Sequence, residues 1–241
     1  MSSDKITKAM ILAAGRGTRM RHLTDAVPKP LVKVADRPLI DYMLDKAQAA
    51  GVTECVVNLC YLGDMIRSRL EKRTGMKIVF SVEAEALETG GGVKKALPLL
   101  GDKPFFVLNS DPLWTEPAEP ALKKLEQAWN PETTDVLLML QPMNRVFGHD
   151  GTGDYFIEDG KPRRRVEGET SAPYVFAGAQ ILHPRIFKES PEGKFRLTEL
   201  YDKAERAGRL QCIVHDGDWF HVGTPEATAL AEKVFGGHRS E

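Results

Sequence analysis

Short apolar runs of β-type residues alternate with helical patterns along most of this 241-residue chain. That alternation predicts βαβ units laid on a mainly parallel sheet. The first run, residues 9–14, is followed by a Gly-rich loop. A helix is expected over 38–50, with Pro38 suited to a first turn, Leu39, Tyr42, Met43 and Ala47 along one face, and Gly51 as the stop. Strands are expected at 54–58, 77–82, 104–109 and 135–140, separated by helices at 63–72, 91–99 and 118–129. From 141 to 174 Gly, Asp, Glu and Arg replace the apolar periodicity, as in hairpins and loops laid over one edge of a sheet. A strand at 175–182, a helix at 198–207, a strand at 210–214 and a helix at 224–235 complete the pattern. No internal repeat, low-complexity run or linker divides it.

Lys plus Arg is 33 and Asp plus Glu is 34, a formal net charge of −1. Such a chain presents no polycationic stripe, which argues against a nucleic-acid partner. The three cysteines, Cys55, Cys60 and Cys212, form no C-x-x-C pair and lie in or beside apolar runs, as small buried hydrophobes of a reducing compartment do. No apolar stretch approaches the ~20 residues of a membrane span, and the polar start of the chain lacks the apolar core of a signal peptide. The expectation is a cytoplasmic protein without a membrane partner, as a monomer or small homo-oligomer.

The strongest chemical signal is Leu12-Ala13-Ala14-Gly15-Arg16-Gly17-Thr18-Arg19-Met20. A buried strand ending in small residues and Gly-x-Gly lets backbone N–H groups turn toward an anion. Ala13 and Ala14 would let a flat ring approach the backbone. Arg16, Arg19, Arg21 and Lys29 gather positive charge locally, offset by Asp25. Taken alone, the loop is also compatible with a surface loop whose arginines are simply solvated. The Walker pattern is absent, and the dinucleotide fingerprint G-x-G-x-x-G fails because Met20 stands where its third glycine belongs.

The residues that follow narrow the reading. L-A-A-G-x-G-T-R-M-x-x-L-T, a short gap and Pro28-Lys29-Pro30-Leu31 resemble the signature of the sugar-1-phosphate nucleotidyltransferases, which join a nucleoside triphosphate to a sugar phosphate and release pyrophosphate. The resemblance implies a three-layer, Rossmann-like α/β fold with a mixed, mainly parallel central sheet. One domain would span 1–241, with a nucleotide-binding core over about 1–140, a sugar-binding lid portion over about 141–208, and a C-terminal strand and helix in 209–241. It also implies roles. Leu12, Ala13, Ala14 and Gly15 would hold base and ribose, and Gly17, Thr18 and Arg19 would wrap the triphosphate. Arg19 would stabilise the departing pyrophosphate, and Lys29 would bind phosphates near the reacting phosphorus. Positioned cations suit in-line displacement at phosphorus, which asks for little covalent chemistry from the protein. The family often has Pro where His22 stands.

Glu83-Ala84-Glu85-Ala86-Leu87-Glu88-Thr89-Gly90 resembles the family's base-recognition element. There Gly90 would let a backbone amide meet the base and Glu83 would reach its edge. A carboxylate only accepts hydrogen bonds, so it suits the N3–H of uracil or thymine or the N1–H of guanine, and not cytosine N3. The alternative for this stretch is a helix start with acidic residues near its N-terminus. Phe105-Phe106-Val107-Leu108-Asn109-Ser110-Asp111 delivers an acid at the carboxyl end of a strand, where open α/β sheets bind ligands. In the family that aspartate holds Mg²⁺, which needs few carboxylates because it keeps waters. Relatives usually supply a second aspartate from W-x-D-x-G-T. Here Trp219-Phe220-His221-Val222-Gly223-Thr224 puts His221 at that position. Three readings follow: Asp111 with waters and triphosphate oxygens, His221 as a nitrogen ligand, or a silent nucleotide-sugar-binding protein.

On the sugar side, Gly178 resembles the glycine that lets a sugar approach the backbone, and Asn109 belongs to the N-x-D element. Glu167 matches the family's sugar-binding glutamate, although the Lys-Pro that often follows it is Gly168-Glu169 here. Lys194 and Arg196 are candidates to neutralise the sugar phosphate. L-E-T-G-G-G, N-x-D and F-x-G-x-x-x-L-H-P together are most similar to the compact N-acetylmuramate-1-phosphate uridylyltransferases of cell-wall peptidoglycan recycling. UTP and a sugar-1-phosphate are thus the implied substrates. A mannose-1-phosphate guanylyltransferase-like enzyme is the nearest alternative.

Overall fold

The computed structural model describes residues 5–17, 24–116 and 119–237. In chain order its first half holds β1 (Lys8–Leu12), β2 (Lys33–Val34), β3 (Arg37–Pro38), α1 (Leu39–Ala49), β4 (Glu54–Leu59), α2 (Gly63–Leu70), β5 (Lys77–Val82), α3 (Glu88–Leu100), β6 (Phe105–Asn109), β7 (Pro112–Trp114) and α4 (Ala121–Ala128). The second half holds β8 (Val136–Pro142), β9 (Val146–Phe147), β10 (Tyr155–Glu158), β11 (Lys161–Arg164), β12 (Tyr174–Leu182), α5 (Leu197–Arg206), β13 (Leu210–Val214), β14 (Trp219–His221) and α6 (Pro225–Phe235).

β1 lies between β4 and β6, parallel to both, and β5 continues the parallel run beyond β4. Ala9, Met10 and Ile11 have no exposed surface, as expected of a parallel strand covered on both faces. β12 runs antiparallel between β6 and β8, and β13 joins β8 in parallel. The main sheet is therefore mixed and mainly parallel. The β10–β11 hairpin attaches at the start of β12 through Tyr155 and Tyr174. A small sheet, β7-β14-β9, stands beside the main one.

Two apolar clusters separate the layers. One packs Leu39, Ile40, Met43 and Leu44 of α1, Ile66 of α2, Leu122 of α4 and Ala231 of α6 on one face of the sheet. The other packs Val93 and Ala96 of α3 and Leu197, Leu200 and Tyr201 of α5 on the opposite face. Cys55 is buried, and burial pushes its thiol up to about 12; Cys60 and Cys212 are half-buried, and all three are free.

Two expectations need correction. Residues 174–182 and 197–206, placed by the sequence within a lid, form β12 in the middle of the sheet and α5 in a helix layer. Ala177, Ala179, Ile181 and Leu182 of β12 are fully buried, so this segment belongs to the core. The second concerns α3, which starts at Glu88 and not near 91, taking Gly90, Gly91 and Gly92 into its first turns. Close packing explains those glycines. A Cβ on Gly90 would meet the Phe195 ring at 2.4 Å, and one on Gly91 would meet the Gly193 carbonyl oxygen at 2.1 Å.

A glycine-to-alanine change inside a helix ordinarily stabilises by up to ~1 kcal/mol. Gly91→Ala should reverse that sign, lowering stability by about 1–3 kcal/mol through overpacking. Denaturant unfolding of the two proteins measures it, and a stabilised variant would contradict the packing described.

Candidate active site

The parallel pairing places Leu12, Asn58 and Asn109 at one edge of the sheet, since Leu12 lies opposite Asn109 and Asn58 follows the Ile11–Val57 pair. A cleft of about 390 Å³ opens there. It brings together Leu12, Ala13, Ala14, Gly15, Gly17, Lys29, Glu83, Asn109 and Asp111 from the residues singled out in the sequence. Thr18 and Arg19, together with Arg21 and His22, lie outside the described residues.

The glycine loop is held at both ends. The buried Ala13 amide donates to Asn58 Oδ1 at 2.7 Å. At the far end the Thr24 hydroxyl donates to the Gly17 carbonyl at 3.1 Å. The Tyr61 hydroxyl is shared between the carbonyls of Thr24, at 3.0 Å, and Asp25, at 3.1 Å. The Arg16 guanidinium lies over the Tyr61 ring, 5.2 Å from its centroid. Gly17 has φ +67°, and a Cβ there would meet Lys29 Cβ at 2.9 Å, whereas a Cβ on Gly15 would meet nothing within 4 Å.

Lys29 stands on a 3₁₀ turn, Lys29–Leu31, that follows Pro28. It is 8% exposed, and its Nζ is 2.5 Å from Asp111 Oδ2. Asp111 follows β6, and His221 arrives from β14, which pairs His221 with Pro112. His221 Nε2 is 3.8 Å from the same Asp111 oxygen. The imidazole stacks on Trp219 (5.8 Å, 14°) and meets His149 edge-on at 5.4 Å. Among the described residues no group of three or more His, Cys, Asp or Glu side chains is placed to hold a metal. Asp111 is the carboxylate that could anchor a cation here, one whose other ligands would be water and phosphate oxygens, as Mg²⁺ accepts. Lys29 occupies that oxygen at 2.5 Å, so a cation could take Asp111 only once the ammonium has turned away from it.

On the base side, Glu83 is 4% exposed. Its Oε1 accepts from Asn58 Nδ2 at 2.7 Å and its Oε2 accepts from the Leu87 amide at 3.0 Å. Burial, then the charges of Glu83 and Glu85, raise the neighbouring Cys60 thiol above its ordinary pKa. Gly90 is a correction. Its amide, expected to face a base, donates to the Phe195 carbonyl at 2.9 Å, and Gly90 does not line the cleft. Packing against Phe195 accounts for glycine at that position.

The remaining sugar-side candidates are dispersed. Gly178 (φ +83°) sits at the irregularity in β12 between Phe176 and Gln180, where a Cβ would meet Pro112 Cγ at 2.9 Å and Asn109 Cβ at 3.2 Å. It lets β12 pass close beneath Asn109. Arg196 is exposed and 3.9 Å from Glu88, which lines the cleft. Lys194 is exposed, and Glu167 is exposed in the turn after β11. None of Gly178, Lys194, Arg196 and Glu167 lines the cleft. Asn58 and Tyr61 escaped the motif reading. The signal for Asn58 was a polar residue inside the buried run Cys55-Val56-Val57-Asn58-Leu59.

The nucleotidyl transferase family model matches residues 8–234. The chain is 45% identical over 230 residues to an N-acetylmuramate alpha-1-phosphate uridylyltransferase of Caulobacter vibrioides, covering 93% of this chain and 95% of that protein. A protein of the same name from Neisseria meningitidis is 38% identical, with 93% and 98% covered. A mannose-1-phosphate guanyltransferase of Emericella nidulans is 34% identical, over 91% of this chain and 61% of that protein. The solved structure of HddC from Yersinia pseudotuberculosis complexed with GMP-PN superposes with a TM-score of 0.77 at 26% identity, over 95% of this chain and 100% of that one.

The two loop glycines should respond differently to alanine. Gly17→Ala, strained at positive φ and pressed on Lys29, should cost about 1 kcal/mol or more. Gly15→Ala should leave the unfolding midpoint nearly unchanged. Equal midpoints for the two variants would refute this account of the loop.

Proposed function

Because the chain belongs to the nucleotidyl transferase family, we propose that it condenses UTP with N-acetylmuramate 1-phosphate, giving the UDP-sugar and pyrophosphate. The observation that carries the reading is the meeting of the glycine loop, Lys29 and Asp111 in one cleft at the carboxyl edge of the sheet. A phosphate oxygen of the sugar phosphate attacks the α-phosphorus of UTP. A new O–P bond forms while the bond to the β-phosphate bridging oxygen breaks, and pyrophosphate carries away the electron pair. A phosphomonoester, with a second pKa of about 6, is already largely ionised at neutral pH, so no general base is required.

In this reading Lys29 turns its ammonium from Asp111 to the phosphates, and Arg19 steadies charge on the leaving pyrophosphate. Asp111 is the residue that would hold Mg²⁺, whose contribution when bound is to neutralise phosphate oxygens that would otherwise repel each other. His221 stands within reach of the same position. Glu83 accepts the uracil N3–H, and Arg196, 3.9 Å from the cleft residue Glu88, would with Lys194 reach toward the sugar phosphate. Asn109 would form the floor beneath the sugar with Gly178 packed behind it, and Glu167, exposed in the turn after β11, would contribute to sugar binding from outside the cleft. The names of the Caulobacter and Neisseria relatives support uracil and N-acetylmuramate. Such a reaction would serve the reuse of cell-wall sugars in the cytoplasm. The free cysteines accord with a reducing compartment, and no described helix is long and apolar enough to cross a membrane.

Pyrophosphate release with four nucleoside triphosphates and a set of sugar-1-phosphates tests the proposal. UTP with N-acetylmuramate 1-phosphate should give the highest kcat/KM. A preference for GTP with mannose 1-phosphate would favour the function named for the Emericella relative. No turnover with any pair, unrescued by His221→Asp, would overturn the catalytic reading in favour of nucleotide-sugar binding alone. Lys29→Ala should lower kcat by about two decades or more with the fold intact, as expected when a positioned cation is removed from a phosphoryl-transfer site. A chelator should abolish turnover and added Mg²⁺ should restore it; full activity in the chelator would exclude the assignment at Asp111.

A further inference from the structure

The buried side chain of Asn58 bridges the glycine loop and the carboxylate assigned to the base, and its two ends are chemically distinguishable. Asn58 is 3% exposed and occupies the next-to-last position of β4, in register with Ser81 of β5. One end of its amide lies 2.7 Å from the Ala13 nitrogen. A backbone N–H can only donate, so that end is the oxygen. The other end is then the NH₂ group, and it lies 2.7 Å from Glu83 Oε1. A second donor, the Leu87 amide, faces Glu83 Oε2. Both carboxylate oxygens thus receive protein donors, and what Glu83 presents toward the cleft is acceptor capacity alone.

The space for this pair is reserved by the start of α3. A Cβ on Gly92 would lie 2.9 Å from Asn58 Nδ2 and 2.9 Å from Glu83 Oε1. The third glycine of the Gly90-Gly91-Gly92 run therefore makes room for the contact between the two side chains.

We infer that Asn58 is a specificity-determining positioning residue: by holding the acceptor oxygens of Glu83 in place at the cleft, it makes the cleft select pyrimidine bases with an N3–H and reject cytosine, whose N3 is itself an acceptor. The inference rests on the nucleotide role proposed above and deepens it. Asn58 has no need to touch the base, because it acts through the orientation of Glu83 and through the Ala13 tether. An aspartate at position 58 would set two carboxylate groups 2.7 Å apart. Like charges at that distance cannot both remain ionised, so a shared proton would turn one oxygen of the pair into a donor.

Titration calorimetry with UTP and CTP, in the absence of sugar phosphate, tests this in the intact protein. The wild type should bind UTP more tightly than CTP by roughly tenfold or more, the consequence of one buried acceptor–acceptor clash. In Asn58→Asp and Asn58→Ala the UTP/CTP ratio should collapse by a similar factor. Gly92→Ala, which pushes the pair apart while keeping both residues, should lower the ratio in the same direction and remains readable if the position-58 variants do not fold. A wild type that fails to discriminate, or variants whose affinities for both nucleotides fall together at constant ratio, would overturn the inference and leave Asn58 a merely structural side chain. A wild type that discriminates UTP from CTP yet releases no pyrophosphate would defeat the proposed reaction and leave the role of Asn58 standing.

Discussion

The parallel seating of β1 between β4 and β6 is the constraint from which the site follows. Ala9, Met10 and Ile11 are apolar and fully buried, so the strand needs a neighbour on either side and a helix layer over each face. Once both neighbours run parallel to it, their carboxyl ends share one edge. Leu12, Asn58 and Asn109 then face a common space without any of them being close in sequence. The glycine loop leaves β1 at that edge, Asp111 follows β6, and Asn58 stands one residue before the end of β4. The small β7-β14-β9 sheet adds His221 by pairing it with Pro112, one residue past Asp111.

Charge in this molecule is balanced in total and uneven in place. The formal net charge of −1 leaves a long polyanion no extended stripe to follow. Lys29 is nevertheless nearly buried, against Asp111, and Arg16 is held over an aromatic ring at the mouth of the cleft. A small, densely charged ligand is matched by such an arrangement because the ammonium and the carboxylate are already placed. What remains is for the ammonium to exchange Asp111 for a phosphate at the same place.

Much of this was legible in the sequence because its signals are contiguous. The alternation of apolar runs and helical patterns located the six α-helices and the seven strands of five or more residues, but not the short strands β2, β3, β7, β9 and β14 or the individual strands of the β10–β11 hairpin. The loop from Leu12 to Met20, the Pro28–Leu31 segment, N-x-D before Pro112 and the Trp219–Thr224 stretch each announce themselves in a few adjacent residues. What stayed hidden depends on contacts between distant segments. Gly90 reads as a glycine opened for a ligand until Phe195, more than a hundred residues later, is seen to fill its Cβ position. Asn58 carries no motif, and its meaning lies in the Ala13 amide on one side and Glu83 on the other. The apolar run at 175–182 is plainly a strand, yet nothing local says that it enters the sheet antiparallel beside β6.

That last placement bears on how the chain acquires its structure. Without β12, one side of β6 would carry an unpaired ladder of hydrogen-bonding groups on Phe105-Phe106-Val107-Leu108, an apolar edge of the kind that recruits other chains. During synthesis the first 140 residues emerge with that edge open, and it closes only after residue 182 has been made. The half of the protein that carries the glycine loop and Asp111 is thus a dependent piece. Its solubility during folding hinges on a strand encoded some seventy residues downstream, and a mutation that delays β12 pairing would appear as aggregation rather than as a defect in the cleft.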